Sequence, residues 1–274
     1  TNAVNANTGD YTSNPLYGPP AGAAKLNANE NPFGPSPAAL KAMVEATQSG
    51  AYYVRESAQK LRDAIAERHG LSRDHVMLSS GSSGVLTYLA LAATQQGSIL
   101  GPDLFWDTTA LMGARNSEFG IRRLPKRPDL AIDLAAMEQA LDDDVSLVHI
   151  TNPNNPTGSA LEASALRAFC AKASSKAMVL VDEADNELTD SPEQSTMIPL
   201  VKGGRDVAVA RTFSKIYGLA GMRVGYLIAK PELLEEVGQY GLGDYGLNQA
   251  GVAGALASYN DEVFTQYAKK KIVE

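Results

Sequence analysis

Lys215 ends the stretch Ala210-Arg211-Thr212-Phe213-Ser214-Lys215, directly after the apolar run Val207-Ala208-Val209-Ala210, and Arg223 returns beyond a glycine-bearing turn. A lysine amine can bond covalently to an aldehyde, while hydroxyls and a guanidinium suit a phosphate. Lys215, Thr212, Ser214 and Arg223 therefore have the parts to hold a phosphorylated aldehyde. A lysine beyond a strand is more often a solvated surface charge, so the reading depends on what lies at the other strand ends.

Three further segments each follow an apolar run. Ser79-Ser80-Gly81-Ser82-Ser83-Gly84 opens a helical stretch. Small residues there let backbone approach an anion, and a helix N-terminus offers free N–H groups, although an ordinary capped turn reads the same way. The Gly-Lys-Ser/Thr of a P-loop is missing. Thr151-Asn152-Pro153-Asn154-Asn155-Pro156-Thr157-Gly158 sets three asparagines between prolines. Their amides suit a polar ring substituent. Asp182-Glu183-Ala184 places a carboxylate where an apolar strand ends, which is costly without a partner such as a pyridinium N–H. A helix-capping aspartate is the plainer alternative. Phe105 and Trp106 could supply an aromatic face for a ring, or simply pack in the core.

The elements that must position these groups alternate. Helical spacing of apolar residues marks Ala38 to Ser49 and Ser57 to His69, the latter with Ala58, Leu61 and Ile65 on one face. Short runs typical of strands covered on both faces follow at 76–78, 98–100, 147–150, 178–181, 207–210 and 224–228, with a further candidate at 121–124. Helical stretches at 84–93 and 163–173 lie between them. This order predicts a largely parallel, seven-stranded, doubly wound α/β sheet, with ligands bound outside the carboxyl ends of the strands.

Composition narrows the function classes. The chain has 274 residues, 44% of them hydrophobic, with 24 basic and 31 acidic side chains for a net charge of −7. Without a dense basic stretch, nucleic acid is not expected as a partner. A single cysteine, Cys170, and three scattered histidines, His69, His75 and His149, give neither a disulfide nor a metal-ligand set. No apolar run approaches the roughly 18 to 20 residues of a membrane helix. The opening residues, through about Ala24, are rich in Asn, Gly, Pro, Thr and Ala and read as a mobile arm. The cytoplasm is the default compartment. A start at Thr1 rather than methionine also fits an exported protein whose signal has been removed.

Four motifs carry a family resemblance: Asn27-Ala28-Asn29-Glu30-Asn31-Pro32-Phe33-Gly34-Pro35, Asn152 to Gly158, Val181-Asp182-Glu183-Ala184, and Arg211 to Tyr226. In this order and spacing the chain resembles class I/II aminotransferases of pyridoxal phosphate fold type I, and most of all the histidinol-phosphate aminotransferase branch. The resemblance implies pyridoxal 5'-phosphate as cofactor. Lys215 would bond to its aldehyde and move a proton, Asp182 would pair with the ring nitrogen, and Asn155 would meet the ring hydroxyl. Ser82 and Ser83 through their backbone, with Thr212, Ser214 and Arg223, would hold the phosphate. Phe105 would stack on the ring, with Trp106 a shift of one, while Asn29 and Asn155 would contact substrate. Tyr53 would reach the phosphate of a neighbouring subunit, which implies a homodimer.

The implied domains are an N-terminal arm over 1–36, a large cofactor-binding domain over 37–229, and over 230–274 the start of a long interdomain helix and a truncated small domain. The implied reaction passes an amino group from a donor, glutamate foremost, to an oxo acceptor such as imidazole-acetol phosphate. A lyase or decarboxylase would use the same lysine and aspartate, and a truncated relative could bind cofactor without turnover. Two departures bear on this. Asp185 stands where relatives carry a tyrosine, and a carboxylate there would repel a phenolate-like ring oxygen. Relatives also continue beyond residue 274 into a domain with substrate-gripping arginines, so the chain is either a fragment or lacks that domain.

Overall fold

The apolar runs form seven strands: β1 Val76–Ser79, β2 Ser98–Pro102, β3 Ile121–Leu124, β4 Val145–Thr151, β5 Met178–Asp182, β6 Val207–Thr212 and β7 Gly225–Ile228. The computed structural model describes residues 28–274, and most of the proposed arm lies outside the described residues. The chain divides into Thr1–Glu30 and Asn31–Glu274, and all that follows belongs to the second unit unless stated.

The helices are α1 Pro37–Thr47, α2 Glu56–His69, α3 Ser82–Ala93, α4 Thr108–Arg115, α5 Leu134–Gln139, α6 Ala163–Ala173, α7 Pro192–Ser195, α8 Ile198–Lys202, α9 Pro231–Gly238, α10 Gln249–Tyr259 and α11 Glu262–Val273. Local chemistry explains several boundaries. Ser36 caps α1 by accepting from Ala39 N, with Pro37 in the first turn, and Gly70 ends α2 at φ +62°.

The strands form one sheet in the order β1-β7-β6-β5-β4-β2-β3. The pairs β2–β3, β2–β4, β4–β5 and β5–β6 are parallel, as expected of runs buried on both faces. β7 runs against both neighbours, β6 and β1. Its connection from β6 holds a single 3₁₀ turn, Ala220–Met222, and no helix that could carry the chain back for a parallel crossover. Because β7 is reversed, β1 points the same way as β6. The carboxyl ends of β1, β4, β5 and β6 therefore share one edge.

Alternation along the strands divides the core in two. Val148, Ile150, Val179, Val181, Val207 and Val209 face a large cluster that includes Leu61, Ile65, Phe213 and Tyr226. Leu147, Leu180, Ala208, Ala210 and Leu227 face the other way, under Val85, Leu86 and Leu89 of α3 and Leu233, Leu234 and Val237 of α9. Burying one such side chain stabilises by about 1.5–3 kcal/mol, so the two clusters together outweigh any single polar contact. Small Ala208 and Ala210 let α3 lie close to the strand ends it serves.

The segment 230–274 holds the α-helices α9, α10 and α11. Asn248 accepts from Gly251 N at 2.6 Å and Asp261 from Phe264 N at 3.0 Å, so each breaks the chain and caps the helix that follows. Val252, Ala255, Tyr259, Phe264 and Ala268 of α10 and α11 join the same core cluster as α1 and α2.

Candidate active site

The shared edge gathers the predicted chemistry. Ser79 of β1 and Thr212 of β6 both pair with Gly225 of β7, so the turn into α3 lies beside the end of β6. Glycine is needed at 225 because a Cβ there would sit 2.2 Å from Ser82 N. Gly81, at φ +72°, is equally constrained: its Cβ would meet Arg223 Nη2 at 2.1 Å. Gly225→Ala is expected to lower the melting temperature by several degrees, since relieving the clash displaces backbone on both sides at about 1–3 kcal/mol. Thermal unfolding beside the parent chain checks this, and an unchanged midpoint would mean the turn is looser than described.

Arg223 bridges the two loops. Its Nη2 donates to Ser83 Oγ at 3.0 Å, and its Nη1 donates to Ser214 Oγ at 3.3 Å and to Ala220 O at 3.0 Å. Thr212 Oγ1 donates to Ser214 Oγ at 2.9 Å and accepts from Ser214 N at 3.1 Å. Among the described residues no side chain caps α3, whose first turn joins this cluster through Ser83 Oγ. An exposed guanidinium, three hydroxyls and an uncapped helix terminus form a cradle suited to a dianion. Ser82, Ser83, Thr212, Ser214 and Arg223 thus come together.

Asp182 ends β5 beside this cradle. Its side chain is 3% exposed, and Oδ1 accepts from Ala184 N at 3.2 Å. Burial first and Asp185 second raise its carboxyl to about 7, against the opposing pull of the Ala184 N–H and Lys215. Asp185 is half-buried, and its carboxyl is raised by burial and drawn down by Lys215. Lys215, itself half-buried, therefore faces two carboxylates, Asp182 and Asp185. In cross-strand register with Asp182 lies Thr151, whose buried Oγ1 has no partner among the described residues.

The asparagine loop divides its labour. Asn152 Oδ1 accepts from Leu161 N at 2.8 Å, and Asn154 Nδ2 donates to Thr157 Oγ1 at 3.0 Å and to Leu104 O at 3.3 Å. These two hold the loop together and tie it to the end of β2. Asn155 is half-buried, and the buried Asn154 Oδ1 has no partner among the described residues. Phe105 is 5% exposed, with its ring edge-on to His149 at 4.9 Å, and Trp106 beside it is half-buried. Tyr53 lies 68% exposed in the loop before α2, edge-on to Tyr245 at 5.1 Å. Asn29 is exposed and belongs to the Thr1–Glu30 unit.

Sequence reasoning missed a second charged set. Glu183, fully buried, accepts from Arg211 Nη2 at 2.8 Å and Nε at 3.1 Å, and Arg211 Nη1 donates to Glu187 Oε1 at 3.3 Å. It also missed Asn31, whose Nδ2 donates to Ile216 O at 2.8 Å and holds the turn after Lys215. Glu183, Arg211 and Asn31 lie inside the quoted motifs, which is the signal that could have singled them out, whereas Glu187 lies outside them.

Residues 22–272 match the model of the family described as aminotransferase class I and II. The chain belongs to this family. Among the chain's relatives, histidinol-phosphate aminotransferase 1 of Cupriavidus pinatubonensis is 36% identical over 248 residues, covering 90% of this chain and 65% of that protein. An aromatic amino acid aminotransferase of Thermobifida fusca is 34% identical, over 89% of this chain and 67% of that one. The solved histidinol-phosphate aminotransferase of Sinorhizobium meliloti, in complex with pyridoxal-5'-phosphate, superposes with a TM-score of 0.79 at 27% identity, covering 90% of this chain and 66% of that chain. The chain thus spans about two thirds of the length of these relatives or slightly less. Among its described residues, no helix is long and apolar enough to cross a membrane.

Proposed function

We propose that this chain carries the pyridoxal phosphate-binding core of an aminotransferase similar to the histidinol-phosphate aminotransferases, acting on small amino and oxo substrates. The observation that carries the reading is the placement of an anion cradle and a buried carboxylate at neighbouring strand ends, with Lys215 close enough to shift Asp182 and Asp185. The donor set fits the cofactor: hydroxyls, guanidinium and helix N–H groups for its phosphate, and a carboxylate for its ring nitrogen. When bound, pyridoxal phosphate supplies an aldehyde and an electron-withdrawing ring.

The residues then take separate roles. Arg223, Ser83, Ser214 and Thr212 hold the phosphate, with Ser82 contributing its backbone. Asp182 holds a proton at the ring nitrogen, and Asn155 donates to the ring hydroxyl. Lys215 would be the amine that condenses with the aldehyde, with loss of water, and when a donor amine takes its place its freed amine would accept the proton from the donor's α carbon. Phe105 or its neighbour Trp106 covers the ring, and Asn155 meets the substrate. Asp185 sets a second carboxylate near Lys215, and Lys215 draws its carboxyl down against the rise due to burial.

A homodimer in which Tyr53 reaches the partner's phosphate completes the proposal, and the exposure of the Tyr53 ring leaves it available for such a contact. The proposed division is an arm to residue 36, a cofactor domain over 37–229, and the beginning of a smaller domain after it. The proposed compartment is the cytoplasm, with export after signal removal as the alternative.

Incubation with pyridoxal phosphate, glutamate and imidazole-acetol phosphate tests the function. Formation of 2-oxoglutarate and histidinol phosphate in equal amounts supports it, whereas loss of carbon dioxide or of a side-chain leaving group would assign the lyase chemistry instead. Arg223→Gly isolates the phosphate contact, because Arg223 already sits at φ +52°, where glycine fits without strain. The variant is expected to bind pyridoxal phosphate about tenfold more weakly, the worth of a charge-assisted hydrogen bond at an exposed site. Equilibrium dialysis reads it, and undiminished affinity would remove Arg223 from the cradle.

A further inference from the structure

The carboxylates around Lys215 have a counterpart on the other side of the sheet. Strand alternation directs Asp182 and Thr212 toward the cradle, and Glu183 and Arg211 away from it. On that opposite face the preceding side chains of β4, β5 and β6 are Val148, Ile150, Val179, Val181, Val207 and Val209, all apolar and buried. Only in the row level with the cradle does a charged pair replace them. The last backbone link there is Glu183 N to Ala210 O at 2.9 Å, so beyond it the side chains take over from the ladder.

Glu183 is the hub of that row. Besides both Arg211 contacts, it accepts from Thr196 Oγ1 at 2.8 Å and from Met197 N at 2.6 Å. It thereby anchors the turn before α8, and with it the segment that carries Asp185. Arg211 reaches on to Glu187 in the 3₁₀ turn Asn186–Leu188, which begins immediately after Asp185. One guanidinium thus fixes the residue after Asp182, the residue before Thr212, and the turn that follows Asp185. Stability alone does not call for this arrangement, because a buried ion pair replaced by apolar side chains of similar volume is often neutral or stabilising.

We propose that Arg211 and Glu183 are positioning residues, which hold Asp182 and Lys215 in register with each other from the face of the sheet opposite the cofactor. This rests on the aminotransferase reading above. The guanidinium fork is essential to it, since a lysine keeps the charge but not the two directed hydrogen bonds. A displacement of about 1 Å at such distances from the chemistry can cost about 100-fold in rate.

The experiment compares the parent chain with Arg211→Lys, with Glu183→Gln and with the double variant Arg211→Met/Glu183→Met. Three quantities are read: melting temperature, amide hydrogen exchange over 182–185 in the apoprotein, and the rate at which pyridoxal phosphate becomes linked to Lys215. The single variants are expected to melt lower and to form the linkage about 10- to 100-fold more slowly. The double variant, which still leaves Glu187 and Met197 N without these partners, is expected to recover part of the melting temperature lost in the single variants while its linkage rate stays low and exchange over 182–185 stays fast. That split is what a merely stabilising pair would not produce. Linkage and exchange restored together with melting temperature in the double variant, or a parental linkage rate in Arg211→Lys, would overturn the proposal. If the parent itself forms no linkage, the functional reading falls, and unchanged exchange in the variants would then dispose of the positioning role separately.

Discussion

Lys215→Ala is expected to abolish covalent capture of pyridoxal phosphate and to cut amino transfer by at least about 10²- to 10⁴-fold, the contribution of one positioned proton-transfer group. The fold should survive the change. Lys215 is half-buried and stands outside both core clusters. Its turn is held by backbone and by Asn31: Gly218 N donates to Lys215 O at 2.8 Å, Leu219 N to Phe213 O at 3.1 Å, and Asn31 Nδ2 to Ile216 O at 2.8 Å. The cradle also persists, because the bonds of Arg223 to Ser83 and Ser214 involve no atom of Lys215. The variant should therefore bind pyridoxal phosphate reversibly, and borohydride reduction followed by mass spectrometry should find none attached. Attachment at another lysine would transfer the nucleophile's role there. Loss of all cofactor affinity would mean that the linkage, rather than the cradle, supplies the binding energy.

The strands and their ends were legible because they obey a local rule: runs of Val, Leu, Ile and Ala buried on both faces stop at the polar Ser79, Thr151, Asp182 and Thr212, which are themselves buried. What remained hidden depends on pairing across the sheet. The reversal of β7 follows from the absence of a helix between Thr212 and Gly225, and apolar periodicity does not encode direction. Glu183 was read with Asp182 as one motif, yet their side chains leave opposite faces, and Arg211 becomes its partner only through the β5–β6 register. The amides of Asn152 and Asn154 had been counted toward a ligand. They bond within their own loop and to Leu104, as prolines and glycine at a tight turn leave backbone groups for nearby side chains to satisfy. The three helices after residue 230 are set by Asn248 and Asp261, whose capping role is visible in sequence only once a helix is known to begin beside each.

Asp182→Asn is expected to separate stability from function in opposite directions. In the apoprotein the folded-state carboxyl stands at about 7, raised first by burial and then by Asp185, against roughly 3.9 in the unfolded chain. Between these values the native state holds a proton that the unfolded state has released. Stability therefore falls as pH rises from about 4 to about 7, and is level above that. Asparagine carries no charge to bury, so its advantage over the parent is absent near pH 4, grows through this window, and reaches a few kcal/mol above it. Catalysis should move the other way. A neutral amide cannot hold a proton at the ring nitrogen, and the lost electrostatic stabilisation corresponds to about 10²- to 10³-fold in rate. Melting curves of both apoproteins across the window, paired with single-turnover amino transfer at one pH, read the two effects. If the melting advantage does not grow with pH, Asp182 is compensated by a partner already present in the protein, and the argument that its buried charge awaits a ring nitrogen fails.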